Sequence, residues 1–222
     1  MYFHRQIDNH LLEWKNDRYR KPLILRGARQ VGKSSAVRQL AESFEDFMEI
    51  NFEEKPLFKA VFESDLTPAR IIEQLSVMRG KQIVSGKTLL FFDEIQACPK
   101  AISAMRFFYE QEPVLHLIAA GSLLEFALQS LPSFGVGRVR SYYMFPFSFE
   151  EFLEATGESL LLDAKRKADI ENPLPDIMHE RLVALMSLFF VTGGMPEAVK
   201  RYAETRQLLQ VQVVLDDLLR TL

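Results

Sequence analysis

The sequence predicts a three-layer α/β domain with a parallel sheet, followed by an all-helical region. Short apolar segments alternate with amphipathic helical segments up to about residue 144, and no hairpin signals lie between them. This alternation is typical of parallel strands that are joined by helices. The later segments are all helical in pattern, so we predict an α/β core over residues 1–146 and a helical region over residues 147–222.

Five short apolar runs are predicted as strands. The run over residues 88–92 (TLLFF) is uniformly apolar, which is expected of a strand buried on both faces of a parallel sheet. The run over residues 47–52 (FMEINF) instead alternates apolar and polar residues. The predicted strands cover residues 22–26, 47–52, 88–92, 114–120 and 139–144.

Apolar residues that recur every three or four positions predict the helices. Ser148 and Glu151 match a capping box, which predicts an additional short helix after residue 148. The last helix has no stop signal before residue 222, so we expect the chain to be part of a longer protein. The other predicted helices cover residues 2–15, 33–44, 67–79, about 101–110, 177–191 and 207–222.

Composition and charge exclude several classes of protein. The net charge of −3 and the pI of about 5.9 argue against a protein that coats nucleic acid. Residues 1–40 nevertheless hold nine Lys and Arg against three acidic residues, which suits an anionic ligand or reflects exposed helix faces. Cys98 is the only cysteine, so neither a disulfide framework nor a cysteine metal site is expected. With neither a signal peptide nor a membrane span in the pattern, we expect a cytoplasmic protein.

A phosphate-binding loop is predicted between the first strand and the helix that follows it. Residues 27–34 (GARQVGKS) satisfy the pattern G-x-x-x-x-G-K-[ST], which could also arise by chance at a plain strand–turn–helix. The glycines permit a concave run of backbone N–H groups, and the helix N-terminus adds partial positive charge. Lys33 would reach the β- and γ-phosphates, and the Ser34 hydroxyl would bind Mg²⁺. The nucleotide-binding residues are predicted to be Gly27, Ala28, Arg29, Gln30, Val31, Gly32, Lys33, Ser34 and Ser35.

Two acidic residues terminate the most apolar predicted strand. Asp93 and Glu94 would emerge at its carboxyl end, where ligands bind in open α/β sheets. Asp93 would hold Mg²⁺ opposite Ser34, and Glu94 would polarise the attacking water. The alternative is that both acids cap the segment that follows.

Two more residues are candidates for sensing the γ-phosphate. Ser122 follows the fourth predicted strand and would contact the phosphate or the water, unless it only caps a helix over residues 123–128. Arg138 precedes the fifth strand and would stabilise transition-state charge in this chain or in a neighbouring subunit. Arg140 and Arg29 compete with Arg138 for this role.

The sequence resembles a known family over nearly its whole length. The segments RGARQVGKSS, LLFFDEIQ, IAAGSLLEFAL, VGRVRSYYMFPFSFEEFL and GGMPEAV, in this order, are similar to bacterial and archaeal AAA-type ATPases that carry a C-terminal DUF4143 domain. The resemblance implies a sheet with strand order 5-1-4-3-2 and a further C-terminal domain that looks like a restriction endonuclease. It assigns ATP binding to Gly27, Gly32, Lys33 and Ser34 and the acidic motif to Asp93 and Glu94.

These observations predict an Mg²⁺-dependent ATPase that couples hydrolysis to conformational change. ATP is preferred to GTP because no N/T-K-x-D run follows the fourth strand. The alternatives are a nucleotide-gated binding module with little hydrolysis and a DNA-associated ATPase. The latter is suggested by the N-terminal basic excess and by the cluster of Lys165, Arg166 and Lys167, unless this cluster is only an exposed helix face. A kinase or transferase ranks last, because arginines are sparse in the helical region. A DNA or protein partner and oligomerisation are left open.

Overall fold

The structure is a computed structural model that describes residues 2–122, 124 and 137–220. The chain divides into two compact units. The larger unit is Ile7–Met144, and the smaller unit combines Met1–Gln6 with Phe145–Leu222. The sequence predicted a boundary after residue 146, two residues later than the boundary between Met144 and Phe145. The prediction also assigned residues 1–6 to the α/β core, whereas the structure groups them with the helices.

The larger unit contains one parallel sheet. In the part of the chain that the structure describes, the strand order is β2-β3-β4-β1-β5, and every neighbouring pair is parallel. This confirms the predicted fold and the strand order 5-1-4-3-2, and each strand begins and ends within two residues of its predicted bounds. The strands are β1 (Leu23–Arg26), β2 (Asp46–Asn51), β3 (Thr88–Asp93), β4 (His116–Ala120) and β5 (Arg140–Tyr143).

One helix precedes the first strand of this sheet, and further helices lie between its strands. Their bounds are α1 (Gln6–Asn16), α2 (Lys33–Ala41), α3 (Pro68–Arg79) and α4 (Pro99–Gln111), with 3₁₀ helices at Pro56–Phe62 and Ile95–Ala97. The first helix begins four residues later than predicted. The two 3₁₀ helices were not predicted, since short helices of this kind carry little periodicity.

An aromatic cluster supports the carboxyl end of β3. Phe52, Phe62, Phe92 and Phe108 are fully buried, and their ring centroids lie 5.5 to 6.5 Å apart in edge-to-face geometry. Such pairs add to the stability that burial of the rings already provides. Phe92 immediately precedes Asp93, so the backbone that carries this acid is anchored in the core.

The smaller unit consists of helices in the residues that are described. The bounds are α5 (Phe149–Ala155), α6 (Ser159–Lys167), α7 (Asp176–Thr192), α8 (Pro196–Thr205) and α9 (Leu208–Arg220). The predicted capping box is present, because Ser148 Oγ accepts from Glu151 N and Glu151 Oε2 accepts from Ser148 N. No helix in the described ranges is both long and apolar enough to cross a membrane.

A buried ion pair joins the N-terminal segment to the start of α5. Arg5 and Glu151 are only 4% and 6% exposed, and Arg5 Nε donates to Glu151 Oε1 at 3.0 Å. Arg5 also donates to the carbonyl of Phe145 and lies over the ring of Phe147, 3.9 Å from its centroid. Glu151 therefore serves both the helix cap and this ion pair.

The double glycine contacts the chain backbone directly. Phe147 N donates to Gly194 O at 2.6 Å, and a Cβ on Gly194 would lie 2.4 Å from Phe147 O. Gly194 is therefore required for space. Gly193 has a φ of 69° and ends α7, so it is required for conformation.

Candidate active site

The predicted site residues come together at the carboxyl edge of the sheet. The loop after β1, the acids that end β3 and the residues after β4 all lie at this edge, because the three strands are parallel. β2 borders the site as well, since Asn51 is the register partner of Asp93.

The loop after β1 has the backbone conformation that a phosphate cradle needs. Gly27, Gln30 and Gly32 have φ values of 144°, 62° and 98°. A Cβ on Gly27 would lie 2.2 Å from the carbonyl oxygen of Met144, so Gly27 is required for both conformation and space. Gln30 is a non-glycine residue in the left-handed region, a strained state that is concentrated at functional sites. The sequence motif alone does not predict the left-handed backbone of Gln30.

The other loop residues differ in burial. Val31 is fully buried, whereas Ala28, Arg29, Gln30 and Ser35 are exposed. Val31 thus anchors the loop to the core. The exposed residues can contribute backbone N–H groups to an anion without having to move out of a packed environment.

The Lys33 side chain is buried beside this loop. Its ammonium group donates to the carbonyls of Gly27, at 2.9 Å, and Ala28, at 2.7 Å. Burial lowers the pKa of Lys33, although the nearby Glu94 and Asp93 act in the opposite direction. A buried cation of this kind is well suited to bind a polyanion, which would offset the cost of its desolvation.

Ser34 and Asp93 form the second half of the site. Ser34 Oγ donates to Asp93 Oδ2 at 2.8 Å, and Asp93 is almost fully buried. Burial raises the pKa of Asp93, while the Ser34 hydrogen bond lowers it and the neighbouring Glu94 raises it further. The carboxyl group is therefore held in an environment that favours the arrival of positive charge.

The two oxygens fit an Mg²⁺ ion. Mg²⁺ prefers oxygen ligands in octahedral geometry at about 2.0–2.1 Å, so neighbouring ligand oxygens stand about 2.9 Å apart. Ser34 Oγ and Asp93 Oδ2 are separated by nearly this distance. Mg²⁺ usually keeps several waters and is bound by one or two protein oxygens together with phosphates, so phosphates and water would supply the remaining ligands.

Glu94 is held in an unusual conformation next to Asp93. Its φ and ψ are both 48°, in the left-handed region that non-glycine residues rarely occupy. Its backbone N–H donates to Asp93 Oδ1 at 3.1 Å. The Gln96 amide donates to Glu94 Oε2 at 2.6 Å. Sequence reasoning missed Gln96, since the contact depends on the tight 3₁₀ turn at Ile95–Ala97.

Ser122 lies at the same edge. Arg29 Nε donates to Ser122 Oγ at 3.4 Å, so the phosphate loop and the residue after β4 contact each other. The helix over residues 123–128 that Ser122 was predicted to cap falls mostly outside the described residues. The sensing role of Ser122 stays a prediction.

The structure does not bring Arg138 to this edge. Arg138 precedes β5, which runs parallel to β1, and the register partner of Arg140 is Leu23 at the amino end of β1. Arg138 forms an ion pair with Glu110 near the end of α4. A residue before a parallel strand lies at the edge opposite the phosphate loop, so Arg138 cannot reach a phosphate in its own chain. The same holds for Arg140, which pairs with Asp17.

A parallel sheet of this order, with a glycine-bounded loop after β1 and paired acids at the carboxyl end of β3, defines a P-loop NTPase. The chain belongs to the AAA_14 family, an AAA domain, whose sequence profile matches residues 19–153, more than half of the chain. Among curated proteins, no sequence matches it significantly.

A solved structure supports this fold. The chain is similar to the Walker-type ATPase PABY2304 of Pyrococcus abyssi, with a TM-score of 0.59 and 18% identity over 99% of this chain and 74% of that one. Weaker similarities are to PCH-2 of C. elegans (TM-score 0.49, 14% identity, 93% and 65% coverage) and to Drosophila ORC bound to DNA (TM-score 0.47, 16% identity, 96% and 66% coverage). The chain spans slightly less than two thirds of each of the last two.

Proposed function

We propose that this chain binds ATP with Mg²⁺ and hydrolyses it to ADP and phosphate. The observation that carries the proposal is the hydrogen bond between Ser34 and Asp93, which unites the two motifs that were separate in the sequence. A strand–turn–helix without a ligand site would not need a buried acid from another strand, here Asp93, beside the first turn of its helix.

Each side chain has a distinct part in the proposed reaction. The loop N–H groups and Lys33 hold the β- and γ-phosphates, and Ser34 and Asp93 hold Mg²⁺, which offsets charge on the phosphate oxygens. Glu94 polarises the attacking water. The water oxygen bonds to the γ-phosphorus, the bond from that phosphorus to the β,γ-bridging oxygen breaks, and the water protons end on phosphate and on solvent by way of Glu94.

Hydrolysis would be coupled to movement through the end of β5. Met144 N donates to Arg26 O at 2.8 Å, and Met144 O lies against Gly27 at the start of the phosphate loop. Phe145, the next residue, begins the longer of the two segments that form the smaller unit. A shift of the loop on loss of the γ-phosphate would therefore act directly on the backbone that leads into the helices. From the sequence resemblance, the proposal also assigns this ATPase to the group whose members carry a DUF4143 domain.

The basic cluster of Lys165, Arg166 and Lys167 gives no specific support to a DNA-associated role. Lys165 and Arg166 both pair with Glu150, at 2.8 and 2.9 Å. The cluster is therefore partly neutralised within its own helical unit. A nucleotide-gated module with little hydrolysis is the competing outcome, and turnover measurements separate it from an ATPase.

The test compares Glu94→Gln with the native chain and with Glu45→Gln, which alters an exposed acid that pairs with the exposed Lys87. We expect Glu94→Gln to bind Mg²⁺-ATP with native affinity and to release phosphate at least about a hundredfold more slowly, the range for loss of a general base. Glu45→Gln should behave as native. ATP binding without turnover in the native chain would instead support the gated module.

A further inference from the structure

We propose that Gln96 is a positioning residue that fixes the Glu94 carboxylate for attack by water, an inference that rests on the proposed ATPase function. The amide nitrogen of Gln96 donates to Glu94 Oε2 at 2.6 Å. This contact engages one carboxylate oxygen and so restricts where the second oxygen can lie.

The local backbone is folded to make this contact. Glu94 is in the left-handed region, and the turn after it closes through bonds from Ala97 N to Glu94 O, at 3.0 Å, and from Cys98 N to Ile95 O, at 2.8 Å. The turn returns the Gln96 side chain to the side of Glu94. A strained residue followed by a compensating turn is typical of a functional site.

The other end of the Gln96 carboxamide is confined by Gly121. A Cβ on Gly121 would lie 2.2 Å from Gln96 Oε1 and 3.0 Å from Leu124 Cγ. The φ of Gly121 is not in the left-handed region, so the glycine is explained by space and not by conformation. The carboxamide is thus held between Glu94 on one side and the residue before Ser122 on the other.

Gln96 Oε1 is buried and has no hydrogen-bond partner among the described residues. A buried carbonyl without a partner costs free energy, and an apolar side chain of similar size would avoid this cost. A glutamine that only filled space would gain nothing from this arrangement. The cost is explained if the amide nitrogen is needed on Glu94.

The test uses Gln96→Leu, which keeps the volume and removes the donor, with the exposed Gln74→Ala as control. Gln96→Leu should lower kcat at least about tenfold and change the KM and the Kd for ATP less than about threefold. Its Tm should equal or exceed that of the native chain, because the unpaired carbonyl is gone. Gln74→Ala should behave as native in all four quantities.

A second arm uses Gly121→Ala. The added Cβ displaces the carboxamide, so kcat should fall as in Gln96→Leu. In Gln96→Ala/Gly121→Ala the methyl group enters vacated space, so kcat should be no lower than in Gln96→Ala alone. Three outcomes would each overturn the inference. The first is a native kcat in Gln96→Leu, and the second is a fall in its Tm and ATP affinity together with its kcat. The third is a kcat of the double variant that falls by the product of the two single losses. If the native chain itself shows no turnover, the proposed function fails first.

Discussion

Ser34 and Asp93 are 59 positions apart in the chain, yet the Ser34 hydroxyl donates a 2.8 Å hydrogen bond to the Asp93 carboxylate. Ser34 stands in the first turn of α2, and Asp93 is the last residue of β3. The bond holds two hard oxygen atoms beside a phosphate loop, which is the arrangement that an Mg²⁺–phosphate complex requires.

Asp93→Asn should impair magnesium use and stabilise the nucleotide-free protein. Burial raises the pKa of Asp93 above the 3.8 of an unfolded carboxyl group, so its charged form is destabilised in the folded state. Its neutral form stabilises the fold fully below pH 3.8, and that stability is lost as the pH rises through the folded pKa. We therefore expect Asn to raise the Tm at pH 7, by about 2 °C for each ~1 kcal/mol gained.

The same variant should need a higher Mg²⁺ concentration for half-maximal phosphate release. Ser34→Ala should act in the same direction, and the double variant should lose less than the product of the single losses, because in the proposed site both side chains would bind the same ion. Tm by calorimetry at pH 7 and pH 4 tests the stability arm, since the gain from Asn should shrink at the lower pH. An unchanged Mg²⁺ requirement in Asp93→Asn would refute the metal assignment.

Gly27→Ala should be far more damaging than Gly80→Ala. Both glycines have positive φ, but a Cβ at Gly80 would meet nothing within 4 Å, whereas one at Gly27 would lie 2.2 Å from Met144 O. The positive φ strains an added side chain at either site, by about 1–2 kcal/mol in the left-handed conformation of Gly80, and the clash at Gly27 adds roughly 1–3 kcal/mol. Urea unfolding of the two variants isolates the steric part, and equal losses would show that the loop relaxes freely.

His116 should make the fold weaken as the pH falls. Its ring is buried against Trp14 and Phe44, its Nε2 contacts the carbonyl of Lys15, and its Nδ1 has no partner in the described structure. Burial, together with the nearby Arg20 and Lys15 charges, lowers its pKa from 6.5 to about 4. As the pH falls, His116 therefore binds a proton in the unfolded state at a higher pH than in the folded state. The free energy of unfolding decreases as the pH falls from 6.5 towards 4.

The expected loss from this group is roughly 3 kcal/mol, at about 1.4 kcal/mol for each pH unit. The free energy of unfolding of His116→Phe should therefore vary less with pH than that of the native chain over this interval. His179→Gln, an exposed position, is the control. Parallel pH profiles for the native chain and His116→Phe would contradict the account.

Arg5→Ala should destabilise the helical unit strongly. It leaves Glu151 buried without its cation, and removal of one partner from a buried pair costs about 3–5 kcal/mol. Arg181→Ala breaks an exposed pair with Glu158 in the same unit and should cost less than about 1 kcal/mol. Denaturant unfolding of both variants tests this difference, and comparable losses would mean that the Arg5 pair is well hydrated.

The sequence predicts the central strands β1, β3 and β4 well because nearly all of their residues are buried. The uniformly apolar run over residues 88–92 predicts a buried strand, and all six residues of β3 are buried. The phosphate loop was equally predictable from its fixed spacing, since the positive φ of its two glycines is a local requirement of the backbone.

The remaining features depend on tertiary contacts. Gln96 reaches Glu94 only because of the left-handed backbone at Glu94, and no periodicity signals such a turn. Arg5 was counted among cations available to an anionic ligand, but it is buried against Glu151. The position of Arg138 could have been inferred, since a residue that precedes a parallel strand must lie at the amino edge of the sheet.

The most direct test is the equilibrium affinity for Mg²⁺-ATP of the native chain, Lys33→Ala and Lys87→Ala. Lys33 lies in the phosphate loop, whereas Lys87 forms an exposed ion pair with Glu45 before β3. By calorimetry we expect the native chain and Lys87→Ala to bind ATP equally and Lys33→Ala to bind at least about tenfold more weakly, a loss of about 1.4 kcal/mol. No binding by the native chain, or equal binding by all three proteins, would contradict the assignment of residues 27–34 as an ATP site.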